Sequence, residues 1–136
     1  MMAEKKYKYD EECRYTESDE WVRFDRGVAR VGITDYAQSQ LSDIVFVEFP
    51  HVGSQVEAGQ AFGVVESVKA VSDLIAPISG EIVEVHGALE ETPEVVNEDP
   101  YGQGWLVAIA PEDLDALDAL MSVDEYRAYV KSRAGE

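Results

Sequence analysis

Cysteine occurs once in this sequence, at Cys13, so no disulfide can form within the chain, as suits a reducing compartment. A lone thiol can be reactive, but nothing in this setting marks it, and it reads as an ordinary free cysteine. No apolar run reaches membrane-spanning length. The opening Met1-Met2-Ala3-Glu4-Lys5-Lys6 lacks the apolar core of a secretory signal, and the chain turns acidic too soon for a transit peptide. A cytoplasmic protein is expected, or a mature organellar one already trimmed, with the initiating Met arguing against trimming. The two histidines, His51 and His86, are not at ligand spacing and have no cysteine partner, so a metal site is not expected. A Gly-x-Ser-x-Gly elbow and a P-loop are also missing. Carboxylates are so numerous that no pair stands out as an acid/base couple, and no active site of the chain's own is expected.

Positive charge is the scarcest property. Between Arg30 and Arg127 the only lysine or arginine is Lys69, while nineteen Asp and Glu fall in the stretch from Val31 to Glu125. The formal net charge is −17. Nucleic acid and anionic membranes are poor partners for such a surface, whereas basic protein surfaces are good ones. The same charge also serves plain solubility. The apolar fraction of 46% is too high for a disordered chain, and 136 residues suffice for one domain with a real core.

In chain order, residues 1–12 read as a flexible N-terminal arm and residues 13–136 as a single domain. Trp21–Phe24 and Val28–Ile33 form a hairpin about Asp25-Arg26-Gly27. Thr34 caps a short helix from Asp35 to Leu41. Ile44–Phe49 is a strand that Pro50 ends. Ala61–Ser67 and Val71–Ala76 fit a hairpin with Val68-Lys69-Ala70 at its tip, although the tip lacks an Asn-Gly or Asp-Gly signal. Glu81–Val85 is a further strand, and the segments 52–57 and 79–84 echo each other weakly. Thr92 with Pro93 predicts a single capped turn, Trp105–Ile109 a last strand, and Pro111-Glu112-Asp113 the start of a helix. Ser122 and Glu125 form a capping box for a final helix that packs through Val123, Tyr126, Tyr129 and Val130. The fold class is mainly β, a barrel or sandwich with helical decoration.

A lone lysine between two strands is as readily an ordinary exposed residue as a functional one. The wider pattern decides more. The block Gly63-Val64-Val65-Glu66-Ser67-Val68-Lys69-Ala70-Val71-Ser72-Asp73 resembles the lipoylation motif of the H-protein family of the glycine cleavage system. Gly32–Ala37, Asp43–Val47, Ala76–Glu81 and Val96–Gly102 match further motifs of that family in the right order, and the resemblance spans Tyr15 to Tyr126. It implies a lipoyl-domain-like barrel-sandwich hybrid with short helices and a C-terminal helical segment. It implies lipoic acid in amide linkage to Lys69, with Glu66, Ser67, Val68, Ala70 and Val71 as the recognition context. It further implies a swinging-arm carrier of one-carbon metabolism, an aminomethyl shuttle without an active site. Its expected partners are a pyridoxal-phosphate glycine decarboxylase, a tetrahydrofolate-dependent aminomethyltransferase, dihydrolipoyl dehydrogenase, and a lipoate ligase or octanoyltransferase. Glu20, Asp73 and Ser18 are the candidates for a cleft that receives the arm. A monomer is expected. The alternatives are an H-like lipoyl donor or relay protein in protein lipoylation, and an interaction module that has lost the cofactor. The chain departs from the family's frequent His at Asp19 and its frequent Asn at His86.

Overall fold

The computed structural model describes residues 6–134. In chain order the strands and helices are β1 (Arg14–Tyr15), β2 (Glu20–Asp25), β3 (Val28–Ile33), α1 (Asp35–Leu41), β4 (Ile44–Glu48), β5 (Gln55–Val56), β6 (Ala61–Ser67), β7 (Val71–Ile75), β8 (Gly80–Val85), α2 (Val95–Glu98), β9 (Val107–Pro111) and α3 (Val123–Arg133). Two 3-10 turns, Gly87–Glu90 and Leu114–Ala119, precede α2 and α3. One antiparallel sheet has the order β1-β2-β3-β9-β8-β5, and the other β4-β6-β7. Among the described residues no helix is long and apolar enough to cross a membrane.

Local chemistry sets the turns. Arg26 and Gly27 both have positive φ, 55° and 84°, the primed two-residue turn whose twist matches the strands it joins. Thr34 caps α1 as expected, its hydroxyl accepting from Ala37 N at 3.1 Å. The two segments that echo each other in sequence pair with each other: Gln55 faces Glu81 and Val56 faces Gly80. The layers enclose a core that includes Val22, Val31, Val47, Val65, Leu74 and Ile109. A second, aromatic cluster joins α3 to the outer part of the large sheet. Tyr15 stacks on Tyr126 at 4.5 Å, and the Trp21 indole N–H donates to the Pro100 carbonyl at 2.9 Å. The Trp21 ring lies flat over Gly32, where a Cβ would come within 2.6 Å of it.

Several expectations are corrected. Of the arm over residues 1–12, residues 1–5 lie outside the described residues, and the remainder is packed, not loose. Tyr7 meets Tyr36 edge-on at 5.0 Å and Tyr9 meets Tyr126 at 6.0 Å. Lys8 N donates to Asp35 Oδ2, and the Tyr101 hydroxyl donates to Lys8 O, each at 2.8 Å. Two tyrosines give this polar segment the apolar area that holds it down. Thr92 caps nothing; its hydroxyl donates to Ala88 O, and α2 opens from Glu94 without a side-chain cap. No helix starts at Pro111. That residue closes β9, paired with Gly80, beyond the point where β3 leaves β9 at Ala29–Ile109. The missing N–H of proline therefore disrupts no ladder on that side. Asp113 instead caps the 3-10 turn, accepting from Asp115 N at 2.9 Å.

Candidate functional site

Lys69 stands at the tip of the β6–β7 hairpin, whose register runs from Glu66–Val71 to Ala61–Ile75. Serine performs the turn that the sequence left without an Asn-Gly signal. The Ser67 hydroxyl oxygen accepts from Ala70 N at 3.0 Å and from Lys69 N at 3.3 Å, while Ser67 N donates to Ala70 O at 2.8 Å. A side-chain oxygen thus replaces the carbonyl that a tight turn would supply. Val68 N donates to Asp43 O at 3.0 Å, tying the tip to the segment that enters β4. Val68, Lys69, Ala70 and Val71 are all exposed, so the lysine side chain leaves a fixed base into solvent.

A cavity of about 160 Å³ opens beside the hairpin. Ser18, Asp19, Glu20, Gln40, Ser72 and Asp73 form its polar wall, and its apolar wall includes Ile33, Leu41, Val65 and Leu74. The three residues proposed for a cleft from sequence thus line one cavity, and Asp73 lies four positions from Lys69, on β7. Glu20 is 2% exposed. Its Oε1 accepts from Ser18 Oγ at 2.6 Å and Thr16 Oγ1 at 2.8 Å, and its Oε2 accepts from Ile75 N at 3.1 Å. Burial pushes its carboxyl up to about 7, against the pull of those three donors.

The cavity wall meets, at Asp19, a network that sequence reasoning missed. Asp19, with φ of 74°, accepts from both Arg133 Nη atoms at 2.5 and 3.1 Å. It also accepts from the Tyr126 hydroxyl at 2.9 Å. That hydroxyl in turn meets Thr34 Oγ1 at 2.7 Å, and Thr34 N donates to Asp19 O at 3.0 Å. Since Tyr126 donates to Asp19, Thr34 is the donor to Tyr126. The network joins α3, the cap of α1 and the loop before Glu20. Thr34 and Tyr126 were legible as a cap and a core face, but nothing in the sequence signals that they meet. Cys13 is buried 3.8 Å from Arg23 Nη1, and burial chiefly pushes its thiol up to about 12, which leaves it unreactive.

The family model described as Glycine cleavage H-protein matches residues 13–133. The chain belongs to the glycine cleavage H-protein family. The glycine cleavage system H protein of Bacteroides thetaiotaomicron is 51% identical to it over 122 residues, which cover 90% of this chain and 97% of that protein. The one from Geobacillus kaustophilus is 54% identical over 119 residues, 88% of this chain and 94% of that protein. In three dimensions, the crystal structure of a glycine cleavage system H protein from Mycobacterium marinum superposes with a TM-score of 0.81 at 41% identity, covering 94% of this chain and 100% of that one. The expected fold, two β layers with short helices and a helical C-terminus, is the one observed. Members of this H-protein family are lipoyl-bearing carriers of the glycine cleavage system, and that carrier role is this chain's.

Proposed function

We propose that Lys69 bears the lipoyl group in amide linkage, attached by a lipoate ligase or octanoyltransferase. The chain then shuttles an aminomethyl group from the pyridoxal-phosphate glycine decarboxylase to the tetrahydrofolate-dependent aminomethyltransferase, and dihydrolipoyl dehydrogenase restores the carrier. The chain works as a cytoplasmic monomer and leaves catalysis to those enzymes. The observation that carries this reading is Lys69 itself: the only lysine or arginine between Arg30 and Arg127, on an exposed tip whose backbone Ser67 holds in place.

When bound, the lipoyl group supplies a disulfide that is reduced as cargo is taken up. The residues present fit such a group. Lys69 offers a primary amine, and Glu66, Ser67, Val68, Ala70 and Val71 present it to the modifying enzyme. The cavity pairs an apolar wall, which includes Ile33, Leu41, Val65 and Leu74, with the oxygens of Ser18, Glu20 and Asp73. The first suits methylenes and the second a cationic cargo. Glu20 titrates near neutrality, so a cation beside it favours its charged form. Covalent attachment holds the cargo at high effective concentration before each partner.

The test is intact mass with peptide mapping after incubation with lipoate, ATP and a lipoate ligase. A single lipoyl increment on Lys69 is expected. No increment, with the ligase active on another acceptor, removes the reading.

A further inference from the structure

The outer face of the three-stranded sheet carries a row of side chains that joins Glu66 and Val71, which flank Lys69, to Phe46, which the carrier role leaves unexplained. Phe46 pairs with Glu66, and Glu66 with Val71. Cross-strand partners project from the same face, so the row runs across all three strands beside Lys69. Phe46 is 46% exposed, and Val45, Val68 and Val71 are also exposed, extending this apolar surface toward the tip. On the other side of Phe46 an open groove of about 430 Å³ continues along Phe49, Pro50, Val52 and Val85. Glu48 and Glu90 line that groove, and Asp43, Glu66 and Asp73 stand nearer the hairpin. The segments from β4 to β8 contain no lysine or arginine except Lys69, and His51 also lines the groove. An exposed apolar strip rimmed by charge of one sign marks a protein contact, and here it fits a partner with an apolar centre and a Lys/Arg rim.

The geometry at Lys69 selects the partner. An enzyme that acts on the far end of a finished arm can stand away from the hairpin. An enzyme that builds the amide must bring its active site to bonding distance of Nζ on an unextended lysine, so it must lie against the hairpin and its neighbours. In that step the neutral Nζ attacks the acyl carbon of an acyl adenylate made from lipoate and ATP. The C–N bond forms, the C–O bond to AMP breaks with the electron pair leaving on AMP, and the amine proton passes to solvent. We propose that the Phe46–Glu66–Val71 row, with the groove beyond Phe46, is the docking surface for the enzyme that acylates Lys69. This inference rests on Lys69 being the modified residue.

The experiment measures initial rates of lipoylation by intact mass, with lipoate ligase, lipoate and ATP, against concentration of the folded acceptor chain. Phe46→Ser is compared with Phe24→Ser, a control that is 42% exposed on the other sheet. Phe46→Ser is expected to raise the acceptor KM about five- to tenfold with little change in kcat, as loss of a central apolar anchor does. Phe24→Ser should leave both within about twofold. Glu48→Gln should weaken the dependence of KM on salt. Val52→Ser, at an exposed loop position that also lines the groove, gives the same readout if Phe46→Ser does not fold. Equal KM values for the Phe46 or Val52 variant and the Phe24 control, with Lys69 modified normally, overturn the docking surface alone. Failure of the unaltered chain to be modified at all overturns both the surface and the carrier reading beneath it.

Discussion

Glu20 Oε2 accepts a hydrogen bond from the backbone N–H of Ile75 at 3.1 Å, and so a carboxylate of one sheet satisfies an amide of the other. β7 is an edge strand, and its outward N–H groups need partners. The bond fixes the base of the hairpin to the wall of the cavity. It also places a titratable group in the seam between the layers.

That placement makes stability depend on pH with a definite sign. Glu20 is raised from 4.5 to about 7, mainly by burial. Between those values the folded chain holds a proton that the unfolded chain has released. The contribution of Glu20 is therefore fully present below about pH 4.5 and lost as pH rises through about 7. The full swing is on the order of 3 kcal/mol at most. Glu20→Gln keeps the shape and removes the charge, so its stability relative to the unaltered chain should grow between pH 5 and pH 8. Urea unfolding at the two pH values measures this. A difference that stays constant with pH would remove Glu20 as the titrating group.

Ser67 is the second target. Its hydroxyl accepts from Lys69 N and Ala70 N at the tip, and Ser67→Ala leaves those amides to water. A local cost of about 1 kcal/mol is expected, with little effect on global unfolding because the tip buries little. Amide exchange at Lys69 and Ala70 should speed up several-fold, and Ser67→Thr should restore protection. Unchanged exchange in the alanine variant would mean that the strands alone hold the tip.

What the sequence made legible was local. Thr34 with the helix to Leu41, the Ser122–Glu125 capping box and the strands around Lys69 each carry their signal within a few residues. Of the polar wall of the cavity, Ser18, Glu20 and Asp73 were reached only by resemblance, since Ser18 and Glu20 lie more than fifty positions from Asp73. The rest depends on distant partners. Asp19 meets Arg133 across 114 positions, and Tyr7 settles on Tyr36, so a segment of charged composition became part of the packed domain. Pro111 misled because proline opens helices as readily as it closes strands. The choice was made by where β3 stops running beside β9.

Arg133 tests the network that meets the cavity at Asp19. It forms two charge-assisted bonds to Asp19, whose side chain is 17% exposed, and its guanidinium also lies over the rings of Tyr36 and Tyr129 at 4.7 and 4.0 Å. Arg133→Met should destabilise the chain by roughly 1–3 kcal/mol. The loss should be partly insensitive to salt because the pair is half-buried. Thermal unfolding at low and high ionic strength measures both effects. A loss that vanishes in high salt would reduce the pair to a surface contact.

Lys69→Arg separates chemistry from architecture at one position. Arginine keeps the charge and much of the length, but its guanidinium stays protonated and offers no free amine for acylation. No lipoyl increment should appear on this variant, and glycine–CO2 exchange with added decarboxylase should fall to background. The tip is exposed, so unfolding free energy should stay within about 0.5 kcal/mol of the parent. Retained exchange activity would move the attachment elsewhere. A large loss of stability would contradict the tip geometry, because a side chain that leaves the hairpin into solvent has no packing to lose.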